Sequence, residues 1–183
     1  MKILVVVGSL RAAAFSRKLA NAAVALMLDG VGCEMVDGRD LPLYDQDLDG
    51  DEKPEPVRKL VAQLGAADGV VFVCPEFNYG IPGSLKNLVD WASRPAFRSP
   101  LKDKPALVIG LSIAPTGGAR AHLQLSTVLA GTLTPVFVGP SLLVPAVHEK
   151  FDADGALTDE AAKLRLAKTL EQFAAWAAKP TGA

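Results

Sequence analysis

The sequence predicts an α/β fold: an open, five-stranded parallel sheet with helices on both faces, a three-layer α/β/α sandwich. Three observations carry this. Five apolar runs of strand length lie at residues 3–7, 32–36, 69–74, 105–111 and 134–144. Segments with helical apolar spacing separate them, and β-α alternation builds parallel sheets through crossover helices. Several of the runs are apolar throughout, as strands buried on both faces are.

Taken in order, residues 3–7 are short, unbroken and rich in β-branched side chains, and they stop at Gly8-Ser9-Leu10-Arg11. The spacing predicts a helix over 15–28, closed by Asp29, Gly30 and Gly32. A strand, a polar turn and a helix leave the helix's first amides without carbonyl partners, which makes a ready anion site. Ser9 and Ser16 add hydroxyls, and Arg11 adds a guanidinium fork suited to phosphate. A surface arginine and an ordinary cap are the alternative.

Residues 32–36 read as the second strand, with alternation. A polar loop then holds Asp37, Asp40, Asp45, Asp47, Asp49 and Asp51. The D-x-D-x-D-G spacing at Asp45, Asp47, Asp49 and Gly50 overlaps the start of an EF-hand loop. No glutamate falls at 57–59 and no helix precedes the loop, so a solvated acidic surface loop is expected instead of a calcium site. A helix follows over 57–67, after Pro56. The third strand, 69–74, is again fully apolar. It empties into Pro75, Glu76, Phe77, Asn78 and Tyr79, and a helix is expected over 82–91 with Pro82 in its first turn.

After a basic connection, the fourth strand at 105–111 leads into a loop with Ser112 and the pair Gly117-Gly118, and a helix runs to about 129. The fifth strand is expected over 134–144, interrupted at Gly139-Pro140. The last helix is expected over 158–178, with Thr158 as N-cap and Asp159 and Glu160 in an acidic first turn. The tail, 179–183, is expected to fray.

Composition narrows the function. The 183 residues suit one domain, 1–183, with a full core. A formal net charge of −1 lacks the basic footprint of a nucleic-acid protein, and it argues against a small acidic electron carrier. No apolar stretch is long enough to span a bilayer, and Met1-Lys2 lead straight into a strand rather than a signal peptide. Cys33 and Cys74 are too few for a disulfide framework or a zinc site, and reduced cysteines of a cytoplasmic protein are expected.

In open parallel sheets the ligand sits outside the carboxyl ends of the strands. The loops after the first, third and fourth strands all fall at that edge. These loops also carry a resemblance. GSLR at 8–11, PEFNYGIPGSLKNLVDW at 75–91 and GGARA at 117–121 resemble the NADPH-dependent FMN reductase family, most closely its bacterial quinone and chromate reductase branch. The resemblance covers nearly the whole chain. It implies a flavodoxin-like fold with strand order 2-1-3-4-5, bound FMN, NADPH or NADH as co-substrate, and a homodimer or homotetramer.

By position, the resemblance assigns Ser9, Arg11 and Ser16 to the FMN phosphate. Pro75, Glu76, Phe77, Asn78 and Tyr79 go to one side of the ring, and Ser112, Gly117 and Gly118 to the other. Ala14 stands where the family often has Ser, and Ala114 where it often has Gly.

Phe77 and Tyr79 could stack on the ring and Asn78 could meet its polar edge. Glu76 is expected to act through its backbone N–H. The Gly117-Gly118 amides, at a helix N-terminus, are expected to stabilise the negative charge of the reduced ring. His122 and His148 are read as structural, and no side chain as strictly catalytic. Leu85, Leu88, Val89 and Trp91 suggest a helix with apolar surface left over for a subunit contact. The expected function is FMN-dependent NAD(P)H oxidation with a small-molecule acceptor: quinone, chromate, azo compound or flavin. The alternatives are a non-enzymatic flavin-binding electron carrier or redox-responsive module, and an α/β protein that uses Ser9 chemically.

Overall fold

Strands β1 (Lys2–Val7) and β3 (Gly69–Pro75) lie side by side at the middle of the sheet and have no free face. Ile3 to Val6 and Val70 to Cys74 are all 0% exposed. The computed structural model describes residues 1–179; of the tail expected to fray, only Lys179 is among them. Around the two central strands lie β2 (Gly32–Asp37), β4 (Ala106–Leu111) and β5 (Leu142–Val144). The five strands run in the order β2-β1-β3-β4-β5, and every pair is parallel. The flavodoxin-like order expected from the sequence is therefore present.

Alternation along the central strands sorts the two faces. Ile3, Val5, Val7, Val71 and Val73 pack on Leu19 and Ala23 of α1 (Phe15–Ala25) and on Leu166, Leu170 and Phe173 of α5 (Glu160–Ala177). Leu4, Val6, Val70, Phe72 and Cys74 face Leu60 and Leu64 of α2 (Glu55–Ala66), Leu85, Leu88 and Val89 of α3 (Gly83–Ala92), and Leu125 and Leu129 of α4 (Ala119–Gly131). The three layers follow from these two sets.

The structure differs from the sequence reading in several elements. The fifth strand is only three residues long. Pro135 and Pro140 cannot donate to a ladder. Val136 makes a lone bridge to Ala106, and Val138 is 94% exposed before the chain returns to the sheet. Edge strand β2 is half-covered along its length and shows no clean alternation. Asp159, not Thr158, caps α5: its carboxylate accepts from the Ala162 amide at 2.8 Å. The Thr158 amide and hydroxyl go instead to the Lys150 carbonyl. Pro82 is the residue before α3, not part of its first turn.

The aspartate-rich loop is anchored rather than merely solvated. Asn87 accepts from the Tyr44 amide at 2.7 Å, and the Asn87 amide and the Trp91 indole both donate to the Pro42 carbonyl at 2.8 Å. The Asp49 carboxylate takes Lys53 and Arg94. Leu85, Leu88, Val89 and Trp91 are at most 1% exposed within this one chain, so α3 has no spare apolar face for a subunit contact. Among the described residues, no helix is long and apolar enough to cross a membrane.

Both cysteines are free. Burial chiefly, with the Glu76 carboxylate second, pushes the Cys74 thiol up to about 12. The unfolded chain releases that proton near the ordinary value of 9.0, so folding stability falls as pH rises from there towards the folded value. Iodoacetamide at pH 8 should mark half-buried Cys33 first and Cys74 only on unfolding, a difference that labelling followed by mass spectrometry reads directly. Equal rates would mean that β3 opens locally.

Candidate active site

The loops after β1, β3 and β4 meet above the carboxyl edge of the sheet. Gly8 ends β1 where no side chain fits: a Cβ there would stand 2.6 Å from Pro75 Cδ and 2.7 Å from the Val73 carbonyl. This close approach joins the first loop to the third. Beyond it, Ser9 is buried, and its hydroxyl accepts weakly from the Arg11 amide at 3.4 Å. Arg39, held near Asp37, donates to the Leu10 carbonyl and props the turn from outside. Helix α1 then starts at Ala14, which has no side chain able to cap it. The Arg17 amide goes to the Ala14 carbonyl at 3.0 Å, so the amides of Phe15 and Ser16 are the ones left for another acceptor. Ser16 is 1% exposed, and its hydroxyl is a buried polar atom with no partner. A buried unpaired hydroxyl costs about 1–3 kcal/mol. Here it points to a group that the protein alone does not supply.

After β3 the chain makes a tight two-residue hairpin. Phe77 and Gly80 exchange both backbone bonds, at 2.9 and 3.0 Å, around Asn78 (φ 49°) and Tyr79 (φ 65°). Positive φ at both central positions is a type I′ turn, which Asn tolerates and Tyr does not favour. Helix α4 braces it. Gln124 Oε1 accepts from the Ile81 amide at 2.8 Å, and the Arg120 guanidinium lies 4.5 Å over the Tyr79 ring.

The expected role of Glu76 is overturned in part. Its amide is taken by the Leu111 carbonyl at 3.2 Å, and its carboxylate caps α4, accepting from the amides of Arg120 at 3.0 Å and Ala121 at 3.4 Å.

Seven of the expected residues, Ser9, Arg11, Ser16, Pro75, Glu76, Phe77 and Ser112, line one cavity of about 310 Å³. Ala14, Phe15, Leu111, Ile113 and Val147 complete it. Three larger hollows, of about 400, 480 and 850 Å³, lie away from these loops. The smaller cavity is the better candidate because the uncapped helix start and the orphan hydroxyl open on it. Asn78 and Tyr79 lie outside its lining, and Tyr79 is 74% exposed.

Gly117 and Gly118 are also outside the lining. The Gly117 amide donates to the Ala114 carbonyl at 3.2 Å, so it is not a free donor. Both residues have positive φ, and a Cβ on Gly118 would stand 2.7 Å from the Leu111 backbone. Their close packing seats α4 on the sheet, while the Gly118 amide, unpartnered among the described residues, keeps its place as a donor at the helix start. Neither histidine lines the cavity. Burial pushes the His122 imidazole down, and His148 sits in the open beside Glu149.

This cavity fits a phosphate ester with a flat ring system: amides, hydroxyls and one guanidinium on one side, Phe77 and Ile113 at the mouth. The sequence profile of the family described as NADPH-dependent FMN reductase matches residues 1–149. The chain belongs to that family. A 2-hydroxy-1,4-benzoquinone reductase from a Burkholderia species is 38% identical over 176 residues, 96% of each chain. An NAD(P)H-dependent FMN reductase from Pseudomonas aeruginosa is 32% identical over 182 residues, covering 100% of this chain and 98% of its own. Among solved structures, the flavoenzyme NAD(P)H:(acceptor) oxidoreductase FerB from Paracoccus denitrificans superposes with a TM-score of 0.88 at 34% identity over 96% of each chain.

Like other FMN reductases, the protein is an oxidoreductase that uses FMN, with NAD(P)H as co-substrate. The residues present fit FMN at the phosphate end, as the uncapped α1 and the Ser16 hydroxyl show. Arg120 and Gln124 escaped the sequence reading because their partners lie 44 and 43 residues upstream. Gly118→Ala should lower unfolding stability by about 2–4 kcal/mol through strain at positive φ and overlap with the Leu111 backbone. A guanidinium chloride titration would show it, and an unchanged midpoint would mean that α4 shifts freely.

Proposed function

We propose that this FMN reductase passes reducing equivalents from NAD(P)H to quinone-class acceptors. When bound, FMN supplies the hydride chemistry; the chain's own residues bind, orient and shield. Ser9, Ser16 and the first amides of α1 hold the phosphate, with Arg11 as the cation. Pro75, Phe77 and Ser112 border the ring, and Asn78 and Tyr79 lie in the hairpin above it. Gly117 and Gly118 act from behind by seating α4. The observation that carries the reading is the buried, unpartnered Ser16 hydroxyl at the start of an uncapped helix.

A quinone is the favoured acceptor on two grounds. Phe77 and Ile113, 50% and 66% exposed, stand at the mouth with their apolar surface open, and a flat, weakly polar ring suits that slot. The Burkholderia relative is named for a benzoquinone, and relatives from Pseudomonas putida and Escherichia coli are named quinone reductases. Both substrates use one mouth, which requires alternation between them. Reaction rate then depends on placing the donor carbon at close range, so positioning by the two walls dominates the barrier.

A homodimer or homotetramer belongs to the same reading. It is supported by the apolar side chains left open at and beside the mouth, Phe77, Tyr79 and Ile113, all at least half exposed. We place the enzyme in the cytoplasm, where reduced cysteines persist.

Purified protein should carry FMN, bleach anaerobically with NADPH or NADH, and turn over 1,4-benzoquinone. Absence of flavin, or flavin that neither nicotinamide bleaches, would overturn the proposal; the second result would favour the carrier alternative.

In a titration of apoprotein with FMN, Arg11→Ala should weaken binding by about 1.5–3 kcal/mol, since a charge-assisted contact is lost. Ser16→Ala should weaken it by about 1 kcal/mol while leaving thermal stability of the apoprotein unchanged or higher. An unchanged FMN affinity in both variants would remove this loop from the site.

A further inference from the structure

Glu76 is a buried charge that the proposed function leaves without a chemical task. Its side chain is 7% exposed although it lines the cavity, and its carboxylate turns into α4. Two amides already satisfy a capping carboxylate. This one also takes the Arg120 guanidinium at 3.1 Å, and the Tyr79 ring beneath that guanidinium keeps it in place. The pair is neutral as a unit; Glu76 sits in the wall of a cavity whose occupant changes charge, and Arg120, 51% exposed, stands behind it outside the lining. Uptake of a hydride, two electrons and one proton, from NAD(P)H leaves FMN with one more negative charge and releases NAD(P)⁺. An uncompensated charge here would favour or oppose that change according to its sign, more strongly for the buried carboxylate than for the half-exposed guanidinium, which water screens.

We propose that Glu76 and Arg120 are a positioning pair that sets the reduction potential of bound FMN by cancelling each other's field at the cavity wall. This rests on the reading that FMN occupies the cavity. Neither side chain need touch the ring.

The two halves of the pair have opposite effects, which a purely structural role would not produce. The test is the potential of the FMN-loaded protein, measured by equilibration with a reference dye. In Arg120→Met the lone carboxylate should lower the reduced-to-oxidised ratio about tenfold at fixed potential, ~30 mV for a two-electron couple. In Glu76→Gln the lone guanidinium should raise it by a smaller factor, about two- to threefold, since water screens it. The double variant should return to within about twofold of wild type, since removing both partners leaves no net charge. Arg120→Lys, which keeps the charge, should stay near wild type.

Shifts in one direction for both single variants, or no shift in Arg120→Met, overturn the proposal. Should Glu76→Gln fail to fold or to hold FMN, Arg120→Met and Arg120→Lys decide alone: the first must lower the ratio and the second must leave it near wild type. Wild-type protein without flavin overturns the functional reading, and this inference with it. Wild-type protein with flavin and an unmoved potential in Arg120→Met overturns the inference only.

Discussion

The constraint on which the rest depends is the two-sided burial of β1 and β3. A strand with no free face can carry no polar side chain along its length without a large desolvation cost. Every polar group that could do chemistry is therefore pushed past the strand ends, into the loops at Ser9, Glu76 and Ser112. Gly8 then decides how close those loops come. With Pro75 Cδ at 2.6 Å from where a Cβ would stand, the first and third loops are in contact only because that position has no side chain. The site is thus a consequence of sheet packing as much as of its own residues.

Accounting for helix starts separates structural ends from a binding end. Helix α4 is capped by Glu76 and α5 by Asp159. Helices α2 and α3 begin after Pro54 and Pro82, which lack side-chain caps, as does Ala14 before α1. What distinguishes α1 is the Ser16 hydroxyl, the one buried side-chain polar atom without a partner among the described residues. The Ala at position 14 looks like a lost phosphate hydroxyl when read in the sequence. In the structure it keeps the helix start unoccupied by the protein itself.

The strands, the helices and the three loops at the sheet edge were legible in local patterns of apolar run, turn residues and helical spacing, whereas the strand order and the assignment of residues to the site followed from the family resemblance. The failures have one physical character. The fifth strand is apolar over 134–144 yet pairs continuously only over Leu142–Val144, with a lone bridge at Val136, since prolines interrupt the ladder. The apolar side chains of α3 are spent inside the chain, where a count of hydrophobic residues cannot place them. Gly117 and Gly118 look like amide donors in a helix-opening motif, but the close approach of Leu111 and Pro145 that requires them is a tertiary fact. Arg120 lies within a motif that could be quoted from the sequence, while its partners Glu76 and Tyr79 belong to another motif far upstream.

The hairpin at Asn78 and Tyr79 shows how the frame serves the site. A Tyr at φ 65° has a backbone cost of about 1–3 kcal/mol. The paired bonds of Phe77 and Gly80, the Gln124 contact to Ile81 and the stacking of Arg120 over the Tyr79 ring oppose that strain. The turn's own bonds and two side chains one turn apart on α4 hold it together, so the strained turn is over-determined. A wall built in this way is in place before any ring arrives, and binding need not order it. The opposite wall is fixed just as firmly, by Ser112 bonded to both Val144 and Ala114. Two rigid walls with an open mouth suit a site that must admit two flat partners in turn. Discrimination between those partners then falls to the few side chains at the mouth, Phe77 and Ile113, which the frame leaves unpacked.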